Sequence, residues 1–176
     1  MKDNDKELVP LVDDKGNVTG CATRSDVHNG SMLLHPVVHL HLFNREGLLF
    51  LQQRPTWKKI QPGKWDTAVG GHVDFGEEIP VALRRETREE IGITQFNPIH
   101  VATYVFESAV EKELVNVFAA KAIHQNPVPS AELDGGRFWK LSEIEEAIGK
   151  NTLTPNFENE YLRILKPRLA RILEDI

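Results

Sequence analysis

Short runs of apolar residues separated by polar turns predict a β-rich first half of the chain. Residues 8–12 and a run reaching Thr23, joined by a polar turn, predict an N-terminal hairpin over about residues 8–24. Residues 37–43 and 48–54 flank the turn-forming sequence Asn-Arg-Glu-Gly and predict a second hairpin. Further strands are predicted at the following positions: residues 65–69, ending in Gly70 and Gly71, residues 100–106 and residues 114–123.

Three segments have the helical spacing of apolar residues together with end signals. Residues 80–91 start with proline and are followed by Gly92, which suits the left-handed position after a helix. Residues 142–148 are predicted to start from Ser142 as N-cap with Glu145 as its capping-box partner. The last helix is predicted over about residues 156–174, and Pro167 should kink or divide it.

The length and composition fit one folded domain over residues 1–176. The chain is 40% hydrophobic and 27% charged, and no linker-like tract divides it. Its formal net charge of -5 argues against a nucleic-acid polymer as partner, because such proteins present a broad basic surface. A small anionic molecule is the easier ligand, and an exposed sheet edge or the last helix offers a surface for a homodimer.

Cysteine usage and hydropathy indicate the compartment. Cys21 is the single cysteine of the sequence, which excludes an internal disulfide framework and fits the reducing cytoplasm. The first seven residues are mostly charged and lead into no apolar run of signal-peptide length. No stretch is long and apolar enough for a membrane span, so the sequence predicts a cytoplasmic protein without a membrane partner.

The segment over residues 71–93 carries the strongest chemical signal. On a helical wheel Glu86, Glu89 and Glu90 share one face, since residues three and four apart are neighbours. Like charges so placed repel, and a hard dication such as Mg²⁺ would compensate them. Glutamates alone on an amphipathic helix are more often a solvated acidic face, so the wider pattern has to decide.

That wider pattern resembles the Nudix box. The spacing from Gly71 through Glu77, Arg85-Glu86 and Glu89-Glu90 to Gly92 matches the box in every charged and glycine position. Thr87 departs from it, because the family usually has an aliphatic residue there, but this position lies on the packing stripe of the helix.

The resemblance implies an α/β fold, namely an α/β/α sandwich with a mixed β-sheet, that binds Mg²⁺ or Mn²⁺. Glu86, Glu89 and Glu90 match the catalytic metal-binding carboxylates, of which Glu89 and Glu90 are the better candidates for direct ligands. Arg85 matches the residue that orients them. The implied metal site also includes Gly71, and structural roles fall on Gly71, Glu77 and Gly92.

Outside the box the chain resembles the branch that includes type I isopentenyl-diphosphate isomerase. Five residues fall where that enzyme has a second set of metal ligands, a set suited to manganese, magnesium or zinc: His28, His35, His72, Glu111 and Glu113. Three residues fall near its diphosphate-binding positions: Arg54, Lys58 and Lys59. Its catalytic cysteine, however, precedes the Gly-His pair, and here that position is Gly70.

Structural interpretations compete with these functional ones. His28, His39 and His41 also fit polar positions on a turn or on a solvated strand face, and His35 fits a residue that merely precedes a strand. Glu111 and Glu113 alternate in a predicted hairpin, where exposed carboxylates are common.

The sequence therefore predicts a metal-dependent pyrophosphohydrolase that acts on a nucleoside diphosphate derivative or another small organic diphosphate. An isomerase-like enzyme is the first alternative, opposed by Gly70, because proton transfer at an allylic carbon needs an acid-base group. A Nudix-fold binding module without turnover is the second, opposed by the retention of all three box glutamates.

Overall fold

The computed structural model describes residues 4–176, and the chain opens with the predicted hairpin. Strands β1 (Leu8–Val12) and β2 (Val18–Thr23) pair antiparallel. The short helix α1 (Arg24–Val27) follows at once, with the Thr23 hydroxyl accepting from the backbone N–H of Asp26. His28 is the C-cap residue of this turn of helix.

A mixed sheet of seven strands, counted within residues 4–176, forms the centre of the molecule, with β3 (Leu34–Phe43) in its middle. Strand β3 runs parallel to β8 (Lys112–Lys121) and antiparallel to β6 (Val69–His72). The predicted pair at residues 100–106 and 114–123 is confirmed as an antiparallel pair of strands, β7 (Ile99–Glu107) and β8. The remaining strands have these bounds: β4 Leu49–Gln53, β5 Trp65–Thr67 and β9 Gly136–Trp139.

The second predicted hairpin is confirmed only at its turn. Strands β3 and β4 pair antiparallel at Phe43 and Leu49, and the Asn44 side chain accepts from the backbone N–H of Leu48. Beyond the turn the strands separate, because β4 pairs with β5 and β9 while β3 pairs with β6 and β8. Strand β9 carries no signal strong enough to have been predicted.

The strand predicted at residues 65–69 was wrong in its extent. The segment forms two strands, β5 on β4 and β6 on β3, and Gly70 and Gly71 lie inside β6 instead of ending a strand. The chain changes partner between Thr67 and Val69. Consequently the two glycines are held in the centre of the sheet, beside β3.

Helices cover both faces of the sheet. Because side chains alternate along a strand, β3 sends Val38, Leu40 and Leu42 into a core shared with helix α2 (Ile79–Ile91). Its other face carries Phe43 into a second core with the C-terminal helices. The expected α/β/α sandwich with a mixed sheet is therefore confirmed.

The helix predictions are confirmed, except for the start and the capping residues of the second predicted helix. Helix α3 (Leu141–Ala147) starts earlier than predicted, since Lys140 is its N-cap and the Glu143 carboxylate accepts from the Lys140 backbone N–H at 2.7 Å. Ser142 and Glu145 are thus not its capping pair. The C-terminal segment is divided, as Pro167 predicted, into these parts: α4 Pro155–Glu160, a π-helical turn Tyr161–Leu165, a 3-10 turn Lys166–Arg168 and α5 Leu169–Asp175.

In the described part of the chain, every helix is too short or too polar to cross a bilayer.

Candidate active site

Arg85 connects helix α2 to the loop that precedes it. Its guanidinium donates to both carboxylate oxygens of Glu77, at 2.9 Å each, and to the backbone carbonyl of His72 at 3.0 Å. The third nitrogen donates to Glu86 at 2.7 Å and to Glu89 at 3.4 Å. Hydrogen bonds from Arg85 to Glu77 and Glu86 raise the pKa of the guanidinium despite its burial. Arg85 therefore fixes both the loop and two carboxylates of the helix.

Gly71 allows Glu86 to lie directly against strand β6. A Cβ atom at position 71 would overlap the Glu86 carboxylate, so only glycine leaves the space that this carboxylate occupies. Burial raises the pKa of Glu86, in opposition to the hydrogen bond and the charge of Arg85.

Glu90 lies against the adjacent glycine. One of its carboxylate oxygens accepts from the Gln52 side chain at 2.9 Å and from the backbone N–H of Gly70 at 3.5 Å. Burial raises the pKa of Glu90 to about 8, and the charge of Glu86 acts in the same direction. Glu90 and Glu86 therefore disfavour each other's charged forms.

We call Glu86, Glu89 and Glu90 the carboxylate cluster. Glu86 and Glu90 lie against the Gly70–Gly71 backbone, Glu86 and Glu89 accept hydrogen bonds from Arg85, and Glu89 is the most exposed of the three. Among residues 4–176, the three do not form a group whose ligand atoms all lie within 4.8 Å of one another. Burial destabilises the charged forms of Glu86 and Glu90, and such oxygen donors fit a divalent cation such as Mg²⁺ or Mn²⁺.

A second group consists of His28, His35 and His72, which we call the histidine cluster. Its ligand atoms all lie within 4.8 Å of one another. The residues come from the end of α1, from β3 and from β6. Nε2 of His28 is 2.9 Å from Nε2 of His72, and the rings of His35 and His72 stack at 5.5 Å.

Two carboxylates support this cluster. Nδ1 of His28 is 2.5 Å from the Glu111 carboxylate, and Nε2 of His35 is 3.8 Å from that of Glu113. The hydrogen bond from His28 lowers the pKa of Glu111, whereas burial, and after it the charge of Glu111, raises that of Glu113 to about 7. The structure thus brings together all five residues of the second predicted set.

The histidine cluster also fits a metal ion. Burial lowers the pKa of His35 and lowers that of His72 well below the usual value, so both imidazoles are neutral, as metal ligands must be. Nε2 of His35 is buried without a hydrogen-bond partner, and a bound cation would satisfy it. The carboxylate behind His28 is a common way of orienting a ligating imidazole.

The three predicted substrate-binding cations lie on the loop after β4. The Arg54 guanidinium donates to the Ile60 carbonyl at 3.0 and 3.2 Å and is 3.6 Å from Asp66. Lys58 lies over the Trp57 ring, 5.2 Å from its centroid. Lys59 is exposed. Arg54 therefore shapes the loop, and Lys59 carries an exposed charge on it.

Sequence reasoning missed the surroundings of Glu90 and misread two histidines. Gln52 was not singled out, although it donates to Glu90. The interpretation of His39 and His41 as residues of a turn or a solvated strand face was wrong, because His41 is fully buried and both contact Glu160. The available signal was their spacing of two residues in an apolar strand, which puts both on one covered face.

Comparison with known proteins identifies the family. Residues 33–158 match the NUDIX domain. An isopentenyl-diphosphate Delta-isomerase of Corynebacterium diphtheriae is 32% identical over 145 residues, which cover 77% of this chain and 79% of that protein. A protein of Photorhabdus laumondii named isopentenyl-diphosphate Delta-isomerase 1 is 30% identical over 175 residues, covering 94% of this chain and 99% of the relative.

Solved structures share the fold. The crystal structure of DR0079 from Deinococcus radiodurans has a TM-score of 0.76 at 23% identity and covers 90% of this chain and 99% of that one. A MutT protein from Methanosarcina mazei has a TM-score of 0.63 at 25% identity, covering 77% of this chain and 95% of that one. The family match, the relatives and the fold agree: the chain belongs to the Nudix family and resembles its isomerase branch, with Gly70 in place of the catalytic cysteine.

Proposed function

We propose that the protein is a metal-dependent hydrolase that splits the diphosphate linkage of a nucleoside diphosphate derivative or another small organic diphosphate. The observation that carries this proposal is the arrangement of the carboxylate cluster. Glu86 and Glu90 are packed against Gly71 and Gly70, and Arg85 holds the cluster to the preceding loop. Membership of the Nudix family supports the same reaction class.

The chain's own residues account for binding and orientation. A divalent ion bound at the carboxylate cluster supplies charge neutralisation for the diphosphate and activation of the attacking water. Glu86, Glu89 and Glu90 are the proposed ligands, and Arg85 keeps Glu86 and Glu89 in place. Glu77 receives both of the parallel hydrogen bonds that lock the Arg85 side chain. Pre-organisation of this kind avoids the cost of ordering the site during the reaction.

A second ion at the histidine cluster is part of the proposal. His28, His35 and His72 supply three imidazole donors, and Glu111 and Glu113 stand behind or beside them. Lys59 is proposed to attract the diphosphate from the loop after β4, because exposed cations draw polyanions to a site, and the half-buried Lys58 adds its charge beside it.

The proposal is tested with a panel of nucleoside diphosphate derivatives and other small organic diphosphates. Each is incubated with Mg²⁺, with Mn²⁺ or with chelator, and monophosphate products are measured. We expect hydrolysis of at least one compound with either metal and none with chelator. Turnover of no compound, or turnover unaffected by chelator, contradicts the proposal.

Glu89→Gln provides the site-specific arm of this test. We expect it to abolish turnover while the protein remains folded, because it removes a proposed ligand without changing side-chain size. Glu78→Gln is the matched control, since Glu78 is an exposed carboxylate that precedes the same helix and lies outside the carboxylate cluster. Equal activity of the two variants would argue against the carboxylate cluster as the reaction site.

Isomerase-like activity is the second candidate, favoured by the names of the relatives and by the histidine cluster. Gly70 opposes it, since glycine supplies no acid-base group. Incubation with isopentenyl diphosphate separates the two functions. We expect no isomer above the background rate, and formation of dimethylallyl diphosphate would favour the second candidate.

A further inference from the structure

A buried polar cluster lies under strand β3, on the face opposite helix α2. The Glu160 carboxylate accepts from three side chains: His39 Nδ1 at 2.8 Å, His41 Nε2 at 2.6 Å and the Tyr104 hydroxyl at 2.5 Å. We call these four residues the Glu160 cluster. Glu160 is 1% exposed and ends helix α4, immediately before the π-helical turn. Such turns occur frequently at functional sites.

Burying charged groups in a core costs free energy of folding. Removing a carboxylate and an imidazolium from water costs more than packing apolar side chains of the same volume, unless hydrogen bonds satisfy both groups. Three donors satisfy the Glu160 carboxylate and fix the orientation of each ring, although Nδ1 of His41 is buried without a hydrogen-bond partner. The presence of the Glu160 cluster at this place therefore calls for a role besides stability.

The ring of His39 lies beside Gly70 on the face of the sheet opposite helix α2, the face that also carries His35 of the histidine cluster. Nδ1 of its ring is bound to Glu160, so Nε2 is on the side away from the core. His39 pairs with Gly70 across β3 and β6. A Cβ atom at Gly70 would lie 3.4 Å from Cδ2 and 3.6 Å from Nε2 of this ring. Because position 70 is glycine, no side chain covers that edge of the imidazole.

Gly70 also links His39 to the carboxylate cluster. Its backbone N–H points to Glu90 at 3.5 Å, while the side where a side chain would project faces His39. The His39 side chain is 20% exposed, whereas those of His41 and Glu160 are at most 1% exposed. His39 is thus the histidine of the Glu160 cluster that a bound molecule can reach.

We propose that His39 is a catalytic residue whose Nε2–H donates to a phosphoryl oxygen of the bound diphosphate beside Gly70, and that Glu160 is its positioning residue. The inference rests on the proposed function and names a contact within the same site. Burial lowers the pKa of His39, but the charge and hydrogen bond of Glu160 outweigh it and raise the pKa to about 9. Glu113 and Asp66 also face the ring electrostatically and act in the same direction. The imidazole therefore keeps its proton at neutral pH.

The kinetic test compares His39→Gln, Glu160→Gln and the control His124→Gln, which changes an exposed histidine away from the cluster. For a diphosphate hydrolysed by the wild type, we expect His39→Gln to lower kcat about 100-fold, as loss of one aligned donor does. We expect His124→Gln to stay within twofold of wild type. A His39→Gln enzyme with wild-type kcat and KM overturns the proposal.

Glu160→Gln distinguishes positioning from mere support of the fold. We expect its kcat to fall as pH rises through about 6.5, the ordinary imidazole value, while wild-type kcat holds until about pH 9. A purely structural role would lower activity equally at every pH, and that result would overturn the assignment of Glu160 as positioning residue.

Nitrogen NMR of the unmodified protein provides a test that needs neither turnover nor a variant. Magnesium pyrophosphate is added, and the assigned Nε2 resonance of His39 is followed. We expect it to move on binding, whereas that of His124 does not. A shifted His39 resonance without hydrolysis of any diphosphate would contradict the proposed function and support the His39 contact. Hydrolysis with an unshifted His39 resonance would support the proposed function and contradict the His39 contact.

Discussion

Glu90 and Glu160 lie on opposite faces of the sheet, and their pKa values are shifted in opposite directions. Glu90 is contacted by the neutral donors Gln52 and Gly70 and lies near the like charge of Glu86, and its pKa rises to about 8. Glu160 is more deeply buried, yet the charge and hydrogen bonds of His39 and His41 hold its pKa far below the usual value.

The difference shows that burial alone does not decide the charge of a carboxylate. Burial raises the pKa at both sites, and the partners determine whether this cost is offset. Glu160 has its cation within the fold, in the form of His39. Glu90 gains a comparable partner only from a bound ion, as expected of a functional site rather than a structural one.

Glu90→Gln should lower turnover more than a change at Glu160 or Lys59, and it tests the account of Glu90 in this comparison. We expect kcat to fall by about 1000-fold, since loss of a metal ligand costs several kcal/mol of transition-state stabilisation. Stability of the metal-free protein should change by less than about 0.5 kcal/mol, because a carboxyl group with a pKa of about 8 is mostly neutral at pH 7. Steady-state kinetics and urea unfolding with chelator measure both. Strong destabilisation of the metal-free variant would contradict this account of Glu90.

Glu160→Gln should act mainly on stability. It leaves the buried His39 without its counter-charge, and we expect a loss of about 3 kcal/mol in the free energy of unfolding at pH 7. Glu174→Gln, which changes an exposed glutamate of α5, is the control and should be neutral. If Glu160→Gln and Glu174→Gln unfold at the same urea concentration, the Glu160 carboxylate does not stabilise the fold as described.

The pH dependence of stability sharpens the same contrast. His39 has a pKa of about 9 in the folded protein and about 6.5 when unfolded, so its contribution is complete below pH 6.5 and is lost as pH rises through 9. Because the pKa of Glu160 is lowered in the folded protein, this carboxylate contributes to the free energy of unfolding above about pH 4.5. We expect the stability difference between wild type and His39→Gln to shrink by about 3 kcal/mol from pH 6 to pH 10. A constant difference across this range would show that the pair is not ionic.

Lys59→Ala should give the smallest effect. Lys59 is exposed on the loop after β4, and water and dissolved salt weaken the attraction between an exposed cation and a polyanion. We expect a rise in KM of about two- to threefold that disappears in high salt, with kcat unchanged. Lys150→Ala, at an exposed turn, is the control. A fall in kcat would instead place Lys59 in contact with the reacting groups.

The carboxylate cluster could be predicted from the sequence because its three glutamates are close together along the chain. Helical geometry fixes which side chains share a face, so the spacing of Glu86, Glu89 and Glu90 was sufficient to place them together on α2. The ends of that helix were equally local: Pro80 lies in its first turn, and Gly92 ends it with φ of 69°. Thr87, the departure from the box pattern, is buried and donates to the Leu83 carbonyl at 2.6 Å.

The Glu160 cluster could not be predicted from the sequence because its members are far apart along the chain. Glu160 is 119 residues from His41 and 121 from His39, and no short-range pattern reports such a pairing. The division of residues 65–72 between two strand partners was missed for the same reason, since local propensity does not specify which strand a segment joins.

By itself the sequence determined the box helix, its ends and its row of acidic groups, because a helix places neighbours by spacing alone. Only the tertiary structure decided what surrounds those groups. The packing of β6 against β3 placed His39 beside Gly70, and the C-terminal helices brought Glu160 beneath it. Charge states depend on burial and on partners from distant segments, so they exist only once the chain is folded.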